Sequence, residues 1–130
     1  TGNGFKVQGF GDRGFHLPPA ITPTTRMVLP GDRNLGEMLR GLDEAILVEG
    51  VIGLGQGNVL SGEFSNNVST GFLVRNGEVV GRVKNTMIAG NVYELLKDQL
   101  IGLSDRPEWV FGILNTPAIA IDGVGVVSQG

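Results

Sequence analysis

Very few side chains in this chain of 130 residues are equipped for covalent or metal chemistry. It contains one histidine, His16, and no cysteine. The missing thiols exclude disulfides, zinc ribbons and a thiolate nucleophile, and a single imidazole excludes a His dyad or a metal site built on several imidazoles. A Ser-His-Asp arrangement would have to use His16, which stands in a loop before Pro18 and Pro19, and no G-x-S-x-G elbow accompanies it. His16 reads as an ordinary surface or core histidine. Acid–base work without histidine needs two carboxylates held on one face. Asp43 and Glu44 close a helix-like stretch while Glu49 and Glu63 fall in separate strand-like segments, so these read as solvated surface groups. Gly53, Gly55 and Gly57 stop short of G-x-G-x-x-G because Asn58 follows, and no lysine completes a P-loop. No EF-hand loop and no H-E-x-x-H helix is present.

One segment keeps a functional option open. Ser61-Gly62-Glu63-Phe64-Ser65, followed by Asn66 and Asn67, is small and polar and stands just before a strand-like run. Such residues leave backbone accessible and can face a cleft. The competing reading is that they only shape turns.

Composition narrows the class of protein further. Hydrophobic residues make up 41% and charged residues 18%, which suits a packed domain rather than a disordered segment. Ten Lys+Arg against thirteen Asp+Glu give a net charge of -3, with none of the basic clustering that nucleic-acid binding requires. No apolar run approaches the length of a membrane-spanning helix. Glycine is the outlier, at 22 residues spread along the chain without a repeat. Spread glycine among β-branched residues points to many turns and close backbone contacts between strands. The opening, without Met and without a signal-peptide pattern, reads as a piece of a longer cytoplasmic protein.

The elements follow from local pattern. Phe5 and Val7 alternate as in a half-buried strand, and Pro18, Pro19 and Pro23 enforce an extended passage. Residues 26–29 suit a short strand before the Pro30-Gly31 turn. Residues 34–44 read as a helix, with Asn34 and Glu37 as a capping box and Leu35, Met38, Leu39 and Leu42 on one face. Residues 45–54 read as a buried strand with a bulge at Glu49-Gly50. Asn76-Gly77 between two β-branched runs is the strongest hairpin signal, with Arg75 facing Glu78 and Val74 facing Val79. A second helix is expected over 91–101, capped by Asn91, striped by Val92, Leu95, Leu96 and Leu100, and ended by Gly102. Residues 118–127 read as a closing strand or hairpin. The fold class is α+β, an antiparallel β-rich, barrel- or sandwich-like domain with two short helices.

The motifs between residues 61 and 91 carry a resemblance. Ser61-Gly62-Glu63-Phe64-Ser65, Gly71-Phe72-Leu73-Val74, Asn76-Gly77-Glu78 and Thr86-Met87-Ile88-Ala89-Gly90-Asn91 occur in the order G-[DE]-[FY]-S, G-F, E-N-G-E and T-I-A-G-N. This series resembles the TldD/PmbA family, also labelled modulator of DNA gyrase. Pro30-Gly31 and Pro117-Ala118-Ile119 are similar to the family's "PG" segment and terminal strand, and Arg75 replaces its customary Glu. The resemblance covers most of the chain and falls in the family's C-terminal domain, so residues 1–130 are expected to form a single domain of a longer subunit.

The family resemblance implies a two-subunit metallopeptidase acting on unfolded or leader peptides. One subunit carries an H-E-x-x-x-H helix and a C-terminal cysteine as zinc ligands; the PmbA-like (TldE-like) subunit lacks them and completes the chamber. This chain has neither feature, so it resembles the non-catalytic partner: no cofactor of its own, zinc in the TldD-like catalytic subunit, and no direct contact with nucleic acid or membrane. Ser61, Gly62, Glu63, Ser65, Asn66 and Asn67 are the candidates for a wall beside the substrate, with no catalytic and no metal-binding residue expected. An isolated fragment is expected to expose an apolar face through which it can self-associate. Two alternatives stand beside this: a peptide-binding or scaffold module without turnover, and a catalytic subunit whose metal ligands all lie upstream.

Overall fold

The computed structural model of the chain describes residues 26–53, 60–110, 112 and 114–128. The strand expected at Phe5 and Val7, the prolines at 18, 19 and 23, His16 and the end of the 45–54 segment lie outside them. In chain order the elements are β1 (Arg26–Met27), α1 (Leu35–Arg40), β2 (Glu44–Ile52), β3 (Glu63–Arg75), β4 (Glu78–Arg82), β5 (Thr86–Asn91) and α2 (Val92–Asp98). They continue with β6 (Leu100–Leu103), β7 (Glu108–Val110), β8 (Leu114–Thr116), β9 (Ile119–Ile121) and β10 (Gly125–Ser128). The domain is α+β, and antiparallel pairing dominates it.

Thirteen-residue β3 is the organising strand. Along one edge it pairs with β2, from Asn67↔Ile52 to Arg75↔Glu44. Along the other it pairs first with β5 through residues 63–67 and then with β4 through residues 72–75. β10 adds beyond β5, giving a five-stranded sheet. Two smaller sheets complete the structure: β1-β8-β7, in which β1 and β8 run parallel, and the antiparallel pair β6-β9.

The Asn76-Gly77 hairpin forms in the expected register, with Arg75↔Glu78 and Val74↔Val79. Both turn residues take positive φ, 49° at Asn76 and 79° at Gly77, as a type I′ turn demands. Arg75 nevertheless finds its charge partner on the other side. Its Nε lies 3.0 Å from Glu44 Oε2 on β2, while Glu78 makes no ion pair among the described residues. Both members of that pair are more than half exposed, so it adds little to stability. Val74, on the face opposite to Arg75, is fully buried and ties the hairpin into the core.

The expected bulge in β2 is a local irregularity. Gly50 sits opposite Thr70, but the alignment before it (Ile52↔Asn67) and after it (Val48↔Gly71) is the same. The strand is also partly exposed rather than buried, with Glu44, Val48, Glu49 and Ile52 exposed.

Both helices are shorter than their apolar stripes imply. Asn34 caps α1 with the full capping box: its Oδ1 accepts from Glu37 N–H at 2.9 Å, and Glu37 Oε2 accepts from Asn34 N–H at 3.1 Å. The helix stops at Gly41, because Leu42 and Asp43 turn their carbonyls to the hairpin, accepting from Gly77 N–H (3.1 Å) and Asn76 N–H (2.7 Å). α2 ends at Gln99, and Leu100 and Gly102 belong to β6, where they pair with Ile121 and Ala120. Gly102 is therefore a strand residue and not a helix stop. Residues 118–127 likewise divide, β9 joining β6 and β10 joining β5.

The core is thin. Val74, Met38 and Leu95 are its buried large apolar side chains among the described residues. Two buried hydroxyls stitch chain segments to it. Ser104 Oγ accepts from Ala118 N–H at 2.8 Å, and Thr86 Oγ1 donates to Lys84 O at 2.9 Å.

The hairpin gives a direct test of this packing. A Cβ at Gly77 would meet Arg40 Cα at 2.6 Å on top of its positive φ, whereas one at Gly81 meets nothing within 4 Å. Gly77→Ala is expected to cost about 1–3 kcal/mol in denaturant unfolding. Gly81→Ala should stay within about 0.5 kcal/mol of the parent.

Candidate functional site

The small polar segment enters β3 through a turn that α2 holds in place. Asn91 does this with both ends of one amide. Its Oδ1 caps α2, accepting from Tyr93 N–H (3.0 Å) and Glu94 N–H (3.4 Å), while its Nδ2 donates to Ser61 O at 2.9 Å. Val92 N–H then donates to Gly62 O at 2.8 Å. An N-cap aspartate could supply the first role, but only an amide supplies both.

Gly62 is buried in this turn at φ +73°, and a Cβ on it would stand 2.5 Å from the Tyr93 ring. A Cβ at Gly90 would press on Leu95 and Phe64. The glycines and the asparagine of these motifs thus serve close approach of the β3 entry, the β5 end and the first turn of α2.

Beyond the turn, strand alternation divides the remaining candidates. Glu63, Ser65 and Asn67 are exposed on one face of β3, and Phe64, Asn66 and Val68 are half-buried on the other. Asn66 is structural in its contacts: its Nδ2 donates to Ile52 O at 2.9 Å, pinning the end of β2 to β3. Ser61 and Gly62 belong to the turn. Of the six candidates, Glu63, Ser65 and Asn67 share one exposed face.

Pairing shows what surrounds them there. The register aligns Val127, Met87, Asn67 and Ile52 in one cross-strand row spanning four strands. Its three apolar members are 64%, 40% and 61% exposed, in the order Val127, Met87 and Ile52. The next row is Gly125, Ala89 and Ser65, all with small side chains, and beyond it Glu63 lies opposite Asn91. Ser65 Oγ reaches Met87 Sδ at 3.2 Å, linking the two rows. The result is an exposed, largely apolar row beside a row of small side chains. Met87, Val127 and Ile52 were not among the candidates, because nothing local to them announces that Asn67 is their neighbour.

This surface contains no set of reacting groups. Among the described residues no group of three or more His, Cys, Asp and Glu side chains could hold a metal ion. The donors among the described residues do not fit a zinc site. No helix among the described residues is long and apolar enough to cross a membrane.

Residues 1–128 match the family model for the PmbA/TldA metallopeptidase C-terminal domain. The chain belongs to that family. Its relatives include an uncharacterised protein of Methanocaldococcus jannaschii, 27% identical over 115 residues, covering 88% of this chain and 26% of the relative. A Buchnera aphidicola protein named as a metalloprotease TldD homolog is 30% identical over 95 residues, covering 72% of this chain and 20% of its own length. Among solved structures, TldE from Thermococcus kodakarensis superposes with a TM-score of 0.75 at 28% identity, covering 88% of this chain and 26% of that one. The likeness therefore extends to proteins named TldD homolog and TldE. The matched part of the chain spans 20% to 26% of the length of these relatives.

The two-handed amide at Asn91 can be tested by dividing its functions. Asn91→Asp keeps a capping oxygen and removes the donor to Ser61 O. It is expected to leave helical signal intact and to cost about 1–2 kcal/mol, with faster amide exchange confined to the start of β3. Asn91→Ala should lose both the helical signal and the turn.

Proposed function

We propose that this chain is the C-terminal domain of a TldD/PmbA-type peptidase subunit, and that it is the non-catalytic partner, forming a wall of the chamber in which unfolded or leader peptides are cut. The observation that carries this reading is the exposed face of the five-stranded sheet, where the Val127-Met87-Asn67-Ile52 row borders the small side chains of Ser65, Ala89 and Gly125. Such a surface makes no demand for a particular side chain. It offers apolar contact beside small side chains, which suits an extended chain of varied sequence better than a folded one.

The assignment to the partner subunit is supported by the donor inventory. A chain with one histidine and no cysteine contributes no thiolate to a zinc ion. Zinc, with the hydrolytic water it activates, then belongs to a TldD-like catalytic subunit. What this domain supplies is position: it limits which substrates reach the metal by shape.

The thin core fits a domain that is one part of a larger body. Leu60, Leu29 and Met27 are 85%, 79% and 69% exposed, the scale of exposure expected where further protein covers a surface. The isolated chain is accordingly expected to self-associate, seen as a sedimentation coefficient that rises with concentration.

The experiment is cleavage of an unstructured peptide by the full-length subunit alone, by its H-E-x-x-x-H partner alone, and by the mixture. Activity in the mixture only is the expected result. Within the mixture, Ser65→Trp or Asn67→Trp should lower kcat/KM about tenfold or more, equivalent to ~1.4 kcal/mol, while Val79→Trp on the distant hairpin should not. Peptide binding without turnover in every combination would favour a scaffold module. Chelator-sensitive cleavage by the full-length subunit alone would make it catalytic.

A further inference from the structure

The three-stranded sheet β1-β8-β7 takes no part in the proposed chamber face, and it carries a polar defect. Asn115 Oδ1, on β8, is buried and has no hydrogen-bond partner, although the residue as a whole is half-buried. The Asn115 main-chain carbonyl is satisfied, accepting from Val28 N–H at 2.9 Å. The defect therefore lies in the side chain. A buried acceptor left unpaired carries its full desolvation cost, so such a group calls for a physical account.

The strand register shows what stands beside it. Asn115 is aligned with Met27 of β1 and with Trp109 of β7, so the three side chains share one face in one cross-strand row. Met27 is 69% exposed and Trp109, the one tryptophan of the chain, is 57% exposed. Arg26 stands in the neighbouring row with Leu114 and Val110, on the opposite face. The row around Asn115 thus holds no cation.

Its three members have one electrostatic property in common. An amide oxygen, the π face of an indole and a thioether sulfur all present electron density outward. Water is a poor partner for Oδ1 here. A buried water makes about three hydrogen bonds, whereas the indole offers a single donor and the thioether a weak acceptor. A guanidinium fits better, being cationic, planar, weakly hydrated and rich in N–H donors. It can stack on the indole and donate to the amide oxygen at once. Met27 is unbranched with three rotatable bonds, so side-chain rotation beside Asn115 can open a path without moving the backbone.

We propose that the Met27-Asn115-Trp109 row is a docking surface for the TldD-like catalytic subunit, which lays an arginine on Trp109 and donates from it to Asn115 Oδ1. This rests on the partner-subunit reading above. Tryptophan, methionine and arginine concentrate at the cores of protein interfaces, where an anchor on one side pairs with an anchor on the other. The orphan oxygen is then half of a hydrogen bond that the free subunit lacks and assembly completes. A donor from the same polypeptide would already be folded onto the row before assembly. The two sources therefore make opposite demands on a variant that removes the oxygen.

The test uses the full-length subunit and its H-E-x-x-x-H partner. Titration calorimetry reads their dissociation constant, and denaturant unfolding reads the stability of the subunit alone. Asn115→Leu removes the acceptor and keeps the size of the side chain. The variant subunit alone is expected to be at least as stable as the parent, while its complex weakens about tenfold or more, because the arginine is left buried without its acceptor. Trp109→Ala should weaken the complex to a similar degree, and Trp109→Phe, which keeps a π face, should recover part of the loss. A subunit destabilised by Asn115→Leu with an unchanged dissociation constant would assign the donor to the same polypeptide and overturn the proposal. Unchanged binding in both Asn115→Leu and Trp109→Ala would overturn it too, and leave the partner-subunit reading standing. Absence of any complex between the two parent proteins would sink that reading and this proposal together.

Discussion

The pairing register of β3 is the constraint on which the other features depend. Its two edges are occupied by three different strands, so the same thirteen residues decide where β2, β4 and β5 lie. Strand side chains alternate, and a slip of one residue would exchange the two faces of every paired strand. Val74 would leave the core for solvent and Asn67 would leave the exposed row. Several local devices oppose such a slip. The Asn76-Gly77 turn pins one end of β3, and the Asn91 amide pins the other through Ser61. Between them Asn66 fastens β2 by its last carbonyl. None of these contacts is large, each being worth about 1 kcal/mol net. Their value lies in where they act, since each blocks the same displacement.

Local chemistry was legible in the sequence, and non-local pairing was not. The hairpin at residues 76–77 and the capping residues Asn34 and Asn91 depend on interactions a few residues apart, so type and spacing suffice to place them. Arg75 shows the limit. Its nearest opposite charge in the hairpin is Glu78, yet Glu44, on a strand 31 residues away in sequence, takes it. Leu42 and Leu100 extend a helical period beyond the observed helices, because an apolar residue fits a neighbouring strand equally well. What ended α1 was a pair of carbonyls needed by the hairpin, and what ended α2 was the pairing of β6 with β9. The wall candidates followed the same division. Alternation alone separates Asn66 from Ser65 and Asn67, but the row that joins Asn67 to Val127 exists only once three registers are known.

The family motifs take on a physical meaning in this light. Gly62, Gly90 and Asn91 look like a binding signature, being small, polar and closely spaced. Their contacts instead hold backbone segments against one another: Tyr93 over Gly62, Phe64 and Leu95 over Gly90, and one amide bridging a helix start to a turn. A motif of this kind marks a joint rather than a reaction centre. The joint fixes the entry of β3 to the first turn of α2.

A domain built this way has an energetic consequence. Three buried large apolar side chains among the described residues are few to offset the backbone entropy of so many strands. Each strand is short apart from β2 and β3, and β4 and β10 are exposed along their whole length. The relatives are more than three times as long as this chain, so their polypeptides have further surface on which such a domain could pack. A face whose order depends on its surroundings acquires its final shape only when those surroundings are in place.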